Sequence, residues 1–172
     1  SGDHYYMSIT QINFSNGLEK IGNCAFCACP NLREIVFPDS LIEIGNGAFS
    51  GNIGNSLSGY SSSDLYGLSK VTFNNGCEKI GSSAFKGTSL SNVVIPDGVK
   101  VIGASAFDYC LNLVDVTIGK SVEEIGEDAF AHTSYTYYGN FYAKFNNFKA
   151  FTLSSVITEV TPNSFIYKSA SS

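Results

Sequence analysis

Residues 90–113 read LSNVVIPDGVKVIGASAFDYCLNL. An apolar opener, Leu90, is followed by an alternating pair, Val93 and Ile95. Then come Pro96, Val99, Ile102, Gly103 and an Ala106-Phe107 pair. The same order of residue types runs along the chain. In six segments a Phe stands seventeen residues after the opener: Ile9/Phe26, Leu32/Phe49, Leu68/Phe85, Leu90/Phe107, Leu113/Phe130 and Phe148/Phe165. One internal spacing kept six times identifies a repeat solenoid. A unit of 22–23 residues is too small to bury its apolar face alone, and stacked units bury a continuous core.

Numbering each unit from its opener gives every column a physical reading. Position 4 is Ile12, Ile35, Val71, Val93, Val116 and Phe151, and position 6 is Phe14, Phe37, Phe73, Ile95, Ile118 and Leu153. These β-branched and aromatic residues alternate with polar neighbours, which predicts a short half-buried strand. Pro38 and Pro96 at position 7 end it, because Pro cannot donate to a ladder. Positions 10 and 13 (Val99 and Ile102 in the quoted unit) turn a second extended or turn segment inward. Position 14 is Gly in five units, Gly22, Gly45, Gly81, Gly103 and Gly126, and Thr161 in the last. That column marks a corner needing either positive φ or close backbone approach. The Ala-Phe pair predicts one small and one large core group on a single helical or 3₁₀ turn.

The steps from Phe to Phe are 23, 36, 22, 23 and 35 residues, so the excess sits in two insertions. The expected organisation is an N-terminal segment 1–8 and one domain 9–167 with units starting at 9, 32, 68, 90, 113 and 148. The insertions fall at 52–67 and 134–147, and a tail follows at 168–172. Asp3–Ser8 is expected to cover one end of the solenoid. Phe148–Tyr167, where Thr161-Pro162 replaces the Gly corner and Ser164 replaces Ala, is expected to cap the other.

The pattern L-x-x-I-x-I-P-x-x-V-x-x-I-G-x-x-A-F-x-x-C-x-x-L resembles the BspA-like leucine-rich repeat, the Treponema pallidum type. The resemblance covers about Ile9 to Phe165 apart from the insertions. It implies a right-handed superhelix with parallel strands on one side and short turns or 3₁₀/helical turns on the other. It also implies a surface-exposed or secreted, adhesin-like binding role, by analogy with the family. The family has no shared catalytic motif, so the chain is expected not to be an enzyme.

The remaining chemistry points the same way. A net charge of −5 argues against nucleic acid. No apolar run approaches the ~18 residues of a membrane span. The fragment Cys24-Ala25-Phe26-Cys27-Ala28-Cys29 holds one C-x-x-C where structural zinc uses two pairs. The five cysteines read as small buried apolar groups, with a local Cys24–Cys27 or Cys27–Cys29 bond, or a metal, as alternatives. Cys29 and Cys110 share a column three units apart, roughly 14 Å, which is too far for a disulfide. Gly45-x-Gly47 and Gly119-Lys120-Ser121 fail the spacing of phosphate loops. Only His4 and His132 could serve a nucleophilic triad, and an enzyme would need one of them in a deep pocket beside a carboxylate. Positions 11 and 12 carry a run of Glu and Lys, which reads as a solvated face of weak surface pairs rather than a glycosidase dyad. No cofactor is implied.

Two surfaces could meet a partner. The outward strand residues (Gln11, Glu34, Lys70, Asn92, Asp115 and Ala150 at position 3; Asn13, Val36, Thr72, Val94, Thr117 and Thr152 at position 5) lack aromatics and suggest a plain wet sheet. The insertions are rich in Tyr, Ser, Gly and Asn, the composition of antibody paratopes. Both leave the unit after the Ala-Phe turn and should emerge on one edge. The candidate partner-binding residues are Tyr60, Tyr66, Tyr135, Tyr137, Tyr138 and Tyr142, the partner a protein or a glycan. The aromatics of the second insertion could instead pack back on the solenoid as a cover. Oligomeric state is left open.

Overall fold

Along most of the described backbone, like positions of successive units pair with one another. The computed structural model describes residues 9–51, 67–133, 150–152 and 159–160. The segments 1–8 and 168–172 lie outside them, as do all but Gly67 of the first insertion and all of the second.

The longest sheet comes from positions 12–13. Its strands are β1 (Lys20–Ile21), β3 (Glu43–Ile44), β5 (Lys79–Ile80), β7 (Val101–Ile102), β9 (Glu124–Ile125) and β11 (Glu159–Val160). They are all parallel in the order β1-β3-β5-β7-β9-β11, one strand from each unit. The segment read as extended or turn is thus strand in all six units. Ile21, Ile44, Ile80, Ile102 and Ile125 point inward and are buried, while their polar neighbours face out.

The second side comes from positions 3–6. Here β2 (Glu34–Val36) pairs with β4 (Lys70–Thr72), and β6 (Asn92–Ile95), β8 (Asp115–Ile118) and β10 (Ala150–Thr152) form a second group. Register is kept across both long gaps, since Ile35 pairs with Val71 and Val116 with Phe151, all at position 4. The ladder breaks between β4 and β6, where the intervening step is the 22-residue one. Gln11–Asn13, at the same positions of the unit that opens at Ile9, does not enter the ladder.

The Ala-Phe segment is neither helical nor 3₁₀ in the described units. It is a run of tight turns with a left-handed residue at position 16: Cys24 (φ 51), Gly47 (φ 61), Ser83 (φ 55), Ser105 (φ 54) and Asp128 (φ 55). Alternate amides point in different directions as a result. The position-17 amide bonds back to its own unit, as Ala106 N–H to the Gly103 carbonyl (3.2 Å). The position-16 and -18 amides bond to the next unit, as Ser105 N–H to Glu127 O (2.8 Å) and Phe107 N–H to Ala129 O (2.7 Å). A third hydrogen-bonded side is built without strands, and it gives partners to the amides at positions 16, 17 and 18.

The Gly column answers the close-approach alternative. None of Gly22, Gly45, Gly81, Gly103 and Gly126 is left-handed. A Cβ on Gly45, Gly81, Gly103 or Gly126 would meet backbone of the preceding unit at 2.7, 2.6, 2.5 or 2.3 Å. A Cβ on Gly22 would meet nothing within 4 Å. Beside this corner the Asn23 Oδ1 accepts the Asn46 amide, and the Asn46 Oδ1 accepts the Ser82 amide, each at 2.9 Å.

The Phe column is the spine of the core. Ring centroids step 5.4 Å from Phe26 to Phe49, 5.5 Å to Phe85, 5.2 Å to Phe107 and 5.2 Å to Phe130, all stacked. Phe37, Leu32, Leu41, Leu90 and Leu113 fill the space around it. Phe26 at the end of the pile is only partly buried, whereas Phe85 and Phe107 are fully buried.

Candidate binding edge

The turn side of the coil brings together groups that the repeat pattern does not predict. Positions 19 and 20 vary from unit to unit, and in three successive units they hold Lys86, Asp108 with Tyr109, and His132. Register stacks them. The Asp108 carboxylate is nearly buried, its side chain 6% exposed. Lys86 Nζ lies 2.9 Å from Asp108 Oδ2 and His132 Nδ1 lies 2.9 Å from Asp108 Oδ1. The His132 ring stacks on Tyr109 with centroids 4.3 Å apart, and Lys86 Nζ sits 5.5 Å from the centre of the same Tyr ring.

The electrostatic logic is compensation. A carboxylate taken out of water is costly unless both oxygens are paired. An ionised carboxylate only accepts, so the His132 Nδ1 carries the proton in that bond. Tyr109 and His132 are both left-handed (φ 57 and φ 50), as are Ala28 and Gly87 at the same position. The carboxylate that an enzyme reading asks for beside His132 is therefore present. It is however held by Lys86 on its other oxygen, and His132 keeps 36% of its side chain exposed on an edge. Lys86, Asp108 and His132 thus form one connected triad on the edge. The signal that could have found it is simple: Lys86 and Asp108 are both position 19, and Tyr109 and His132 both position 20, in adjacent units.

The same edge is where the chain departs for its two long excursions. Gly51 N–H bonds to Lys86 O (2.8 Å), Gly87 N–H to Asp108 O (2.8 Å) and Tyr109 N–H to Ala131 O (3.0 Å), one continuous row. Gly51 is the last described residue before the first Tyr-rich stretch, and Thr133, buried, the last before the second. The candidates Tyr60, Tyr66, Tyr135, Tyr137, Tyr138 and Tyr142 themselves lie outside the described residues.

The other surfaces divide differently from expectation. The Glu/Lys face carries exposed ion pairs as read: Glu43 with Lys20 (3.0 Å) and Lys79 (3.5 Å), and Glu78 with Lys100 (2.8 Å). The hydrogen bond from Lys20 holds the Glu43 carboxyl below its usual range, the opposite of what a general acid needs. On the strand side, Val36 and Val94 are 54% and 64% exposed. Where Gln11–Asn13 stays out of the ladder, a groove of about 640 Å³ opens, lined by Gln11, Asn13, Phe14, Arg33, Val36 and Asn74 among others. That side is thus not the plain sheet its sequence suggests.

The cysteines split. Cys29, Cys77 and Cys110 are buried, as read, but Cys24 is exposed and Cys27 half-buried, because positions 16 and 19 lie on the outer turn. Burial pushes the Cys77 thiol up to about 11 and the Cys110 thiol up to about 12. Cys110 Sγ also lies 3.2 Å from Thr88 Oγ1 and 3.2 Å from Phe85 O. All five are free, and among the described residues no group of three or more His, Cys, Asp or Glu could hold a metal. Among the same residues no helix is long and apolar enough to cross a membrane.

Comparison with known proteins agrees with the fold. The family model for the BspA type leucine rich repeat region matches residues 3–63 and 52–150, in six copies. The crystal structure of a T. pallidum leucine-rich repeat protein is 32% identical over 72% of this chain, with a TM-score of 0.57. This chain covers 51% of that protein, about half its length. A Bacteroides ovatus leucine-rich repeat protein (21% identity, TM-score 0.52) matches over 70% of this chain and 34% of its own. The pneumococcal vaccine antigen PcpA (20% identity, TM-score 0.50) matches over 73% of this chain and 37% of its own. Both share the fold. A search of curated proteins found no match. With its six units in register and its family model matched along most of the sequence, the chain belongs to the BspA-type leucine-rich repeat family.

Proposed function

We propose that this chain is a non-catalytic recognition module of a surface-exposed or secreted, adhesin-like protein, meeting a protein or glycan partner at its Tyr-rich edge. The observation that carries this reading is the row joining Gly51 to Lys86, Gly87 to Asp108 and Tyr109 to Ala131. Both Tyr-rich stretches set out from that one side of a rigid stack. A stiff scaffold presenting Tyr, Ser, Gly and Asn from one edge gives large amphipathic contact area at low entropic cost.

The test is a screen of the purified chain against immobilised extracellular-matrix proteins and a glycan array. Saturable binding is expected, weakened roughly tenfold or more by the pair Tyr137→Ala and Tyr138→Ala. Binding unchanged by that pair counts against the site, and binding to nothing in the screen counts against the module. A second reading is a spacer or assembly segment of a larger surface protein, with no ligand of its own. Flanking domains that bind equally well with this segment replaced by other repeats would support the spacer.

A further inference from the structure

In every described unit the residues at positions 16 and 19 close the same turn. The position-19 amide bonds to the position-16 carbonyl: Cys27 to Cys24 (3.3 Å), Ser50 to Gly47 (3.1 Å), Lys86 to Ser83 (3.2 Å), Asp108 to Ser105 (3.1 Å) and Ala131 to Asp128 (2.9 Å). Only the first unit places Cys at both positions. In a turn closed by an i to i+3 hydrogen bond the two end Cα atoms lie within about 7 Å, which is the reach of a disulfide.

The surroundings favour exchange at this pair over the other thiols. Cys24 is exposed and Cys27 half-buried, whereas Cys29, Cys77 and Cys110 are buried. The Cys24 sulfur leans on Gly47, whose missing Cβ would lie 3.1 Å from it. Gly47 occupies the place filled by Ser83, Ser105 and Asp128 in later units, so the sulfur has room to turn. Cys29 Sγ is directed instead at the Cys27 carbonyl, 3.7 Å away.

We infer that Cys24 and Cys27 form a reversible dithiol–disulfide pair on the outer turn of the first unit, oxidised by a small-molecule disulfide of the glutathione class. The Cys24 thiolate attacks one sulfur of that disulfide and releases one thiol. Cys27 then attacks the Cys24 sulfur of the mixed disulfide and releases the second thiol. The protein loses two hydrogens, and the small disulfide is reduced to two thiols. Burial, and then the neighbouring Cys24 thiol, push Cys27 up, so the exposed Cys24 opens the exchange.

The test uses the whole chain, equilibrated in mixtures of oxidised and reduced glutathione, quenched by alkylation and weighed by mass spectrometry. The expected product has lost two alkylatable thiols and carries no adduct. Cys27→Ser should trap glutathione on Cys24, with the mixed disulfide at least about tenfold more abundant than in the wild type. Cys29→Ser should close like the wild type. Matching circular dichroism melts before oxidation show that the variants fold. The inference is overturned if no thiols are lost at any ratio, if Cys27→Ser carries no more adduct than the wild type, or if Cys29→Ser abolishes closure.

Discussion

A Cβ on Gly103 would lie 2.5 Å from the amide nitrogen of Ser82 in the preceding unit and 2.6 Å from the Gly81 carbonyl carbon. The obstacle is backbone, with the Gly81 amide bonded to Ile44 O and the Ser82 amide to Asn46 Oδ1, so it cannot rotate away as a side chain would. Gly103→Ala should destabilise the chain by about 3 kcal/mol, the upper end of overpacking costs. Gly22→Ala is the control, because nothing lies within 4 Å of its Cβ. It should be neutral or stabilising by up to about 1 kcal/mol through the unfolded chain. Urea midpoints of the two variants against wild type check the pair, and equal shifts would refute the close-approach account.

The left-handed turn residues make a separate prediction. Ser105 has φ 54 and its amide bonds to Glu127 O. A β-branched residue fits that conformation poorly, so Ser105→Val should cost about 1–2 kcal/mol. Ser105→Gly should change stability by no more than about 0.5 kcal/mol, since relief of strain offsets the extra entropy of the unfolded chain. The measurement is thermal or urea unfolding of both variants, and a Val variant as stable as the Gly variant would remove the strain argument.

The edge triad yields a charge prediction. Lys86→Met leaves the Asp108 carboxylate with His132 alone, on an atom that is nearly buried. A fully buried pair loses about 3–5 kcal/mol when one partner is removed. The Lys86 side chain is 33% exposed, so solvent screening reduces the expected loss to about 1–2 kcal/mol. The double variant Lys86→Met with Asp108→Asn should recover part of it, because the uncompensated charge is gone. Stability of the two single variants and the double one, read as a cycle, decides it.

Much of this molecule is legible in its sequence, and the reason is register. Phe151 pairs with Val116 across a step of 35 residues because both hold position 4, and strands obey that column whatever is inserted between them. The stacked Phe85, Phe107 and Phe130 follow from spacing alone. The left-handed turn was hidden because Ser83, Ser105 and Asp128 stand where a glycine would have announced it. Gly45, Gly81, Gly103 and Gly126, in turn, are glycines because of the unit beneath, a contact no single unit reveals. The Asp108–His132 bond was illegible to a search for repeated residue types, since positions 19 and 20 do not repeat. Tyr137 and Tyr138 stand out by composition alone, and they lie outside the described residues.

The raised pKa values of the buried thiols predict a loss of stability at alkaline pH. Burial raises Cys77 from 9.0 to about 11 in the folded chain. A raised acid is neutral in both states at low pH, so its effect is absent there and stability is intact. As pH climbs through about 9 the unfolded thiol ionises while the folded one cannot, and the unfolded chain gains. Stability should therefore fall from about pH 9 toward 11, by about 1 kcal/mol for Cys77 at about pH 10. Cys110, raised to about 12, adds in the same direction. Other groups titrate in that range, so the decisive quantity is a difference between proteins. Cys77→Val places at position 10 the residue found there as Val99 and Val122, and should change little at neutral pH. Its urea midpoint should then decline less than that of the wild type above pH 9, and parallel alkaline limbs would show that Cys77 is not the group responsible.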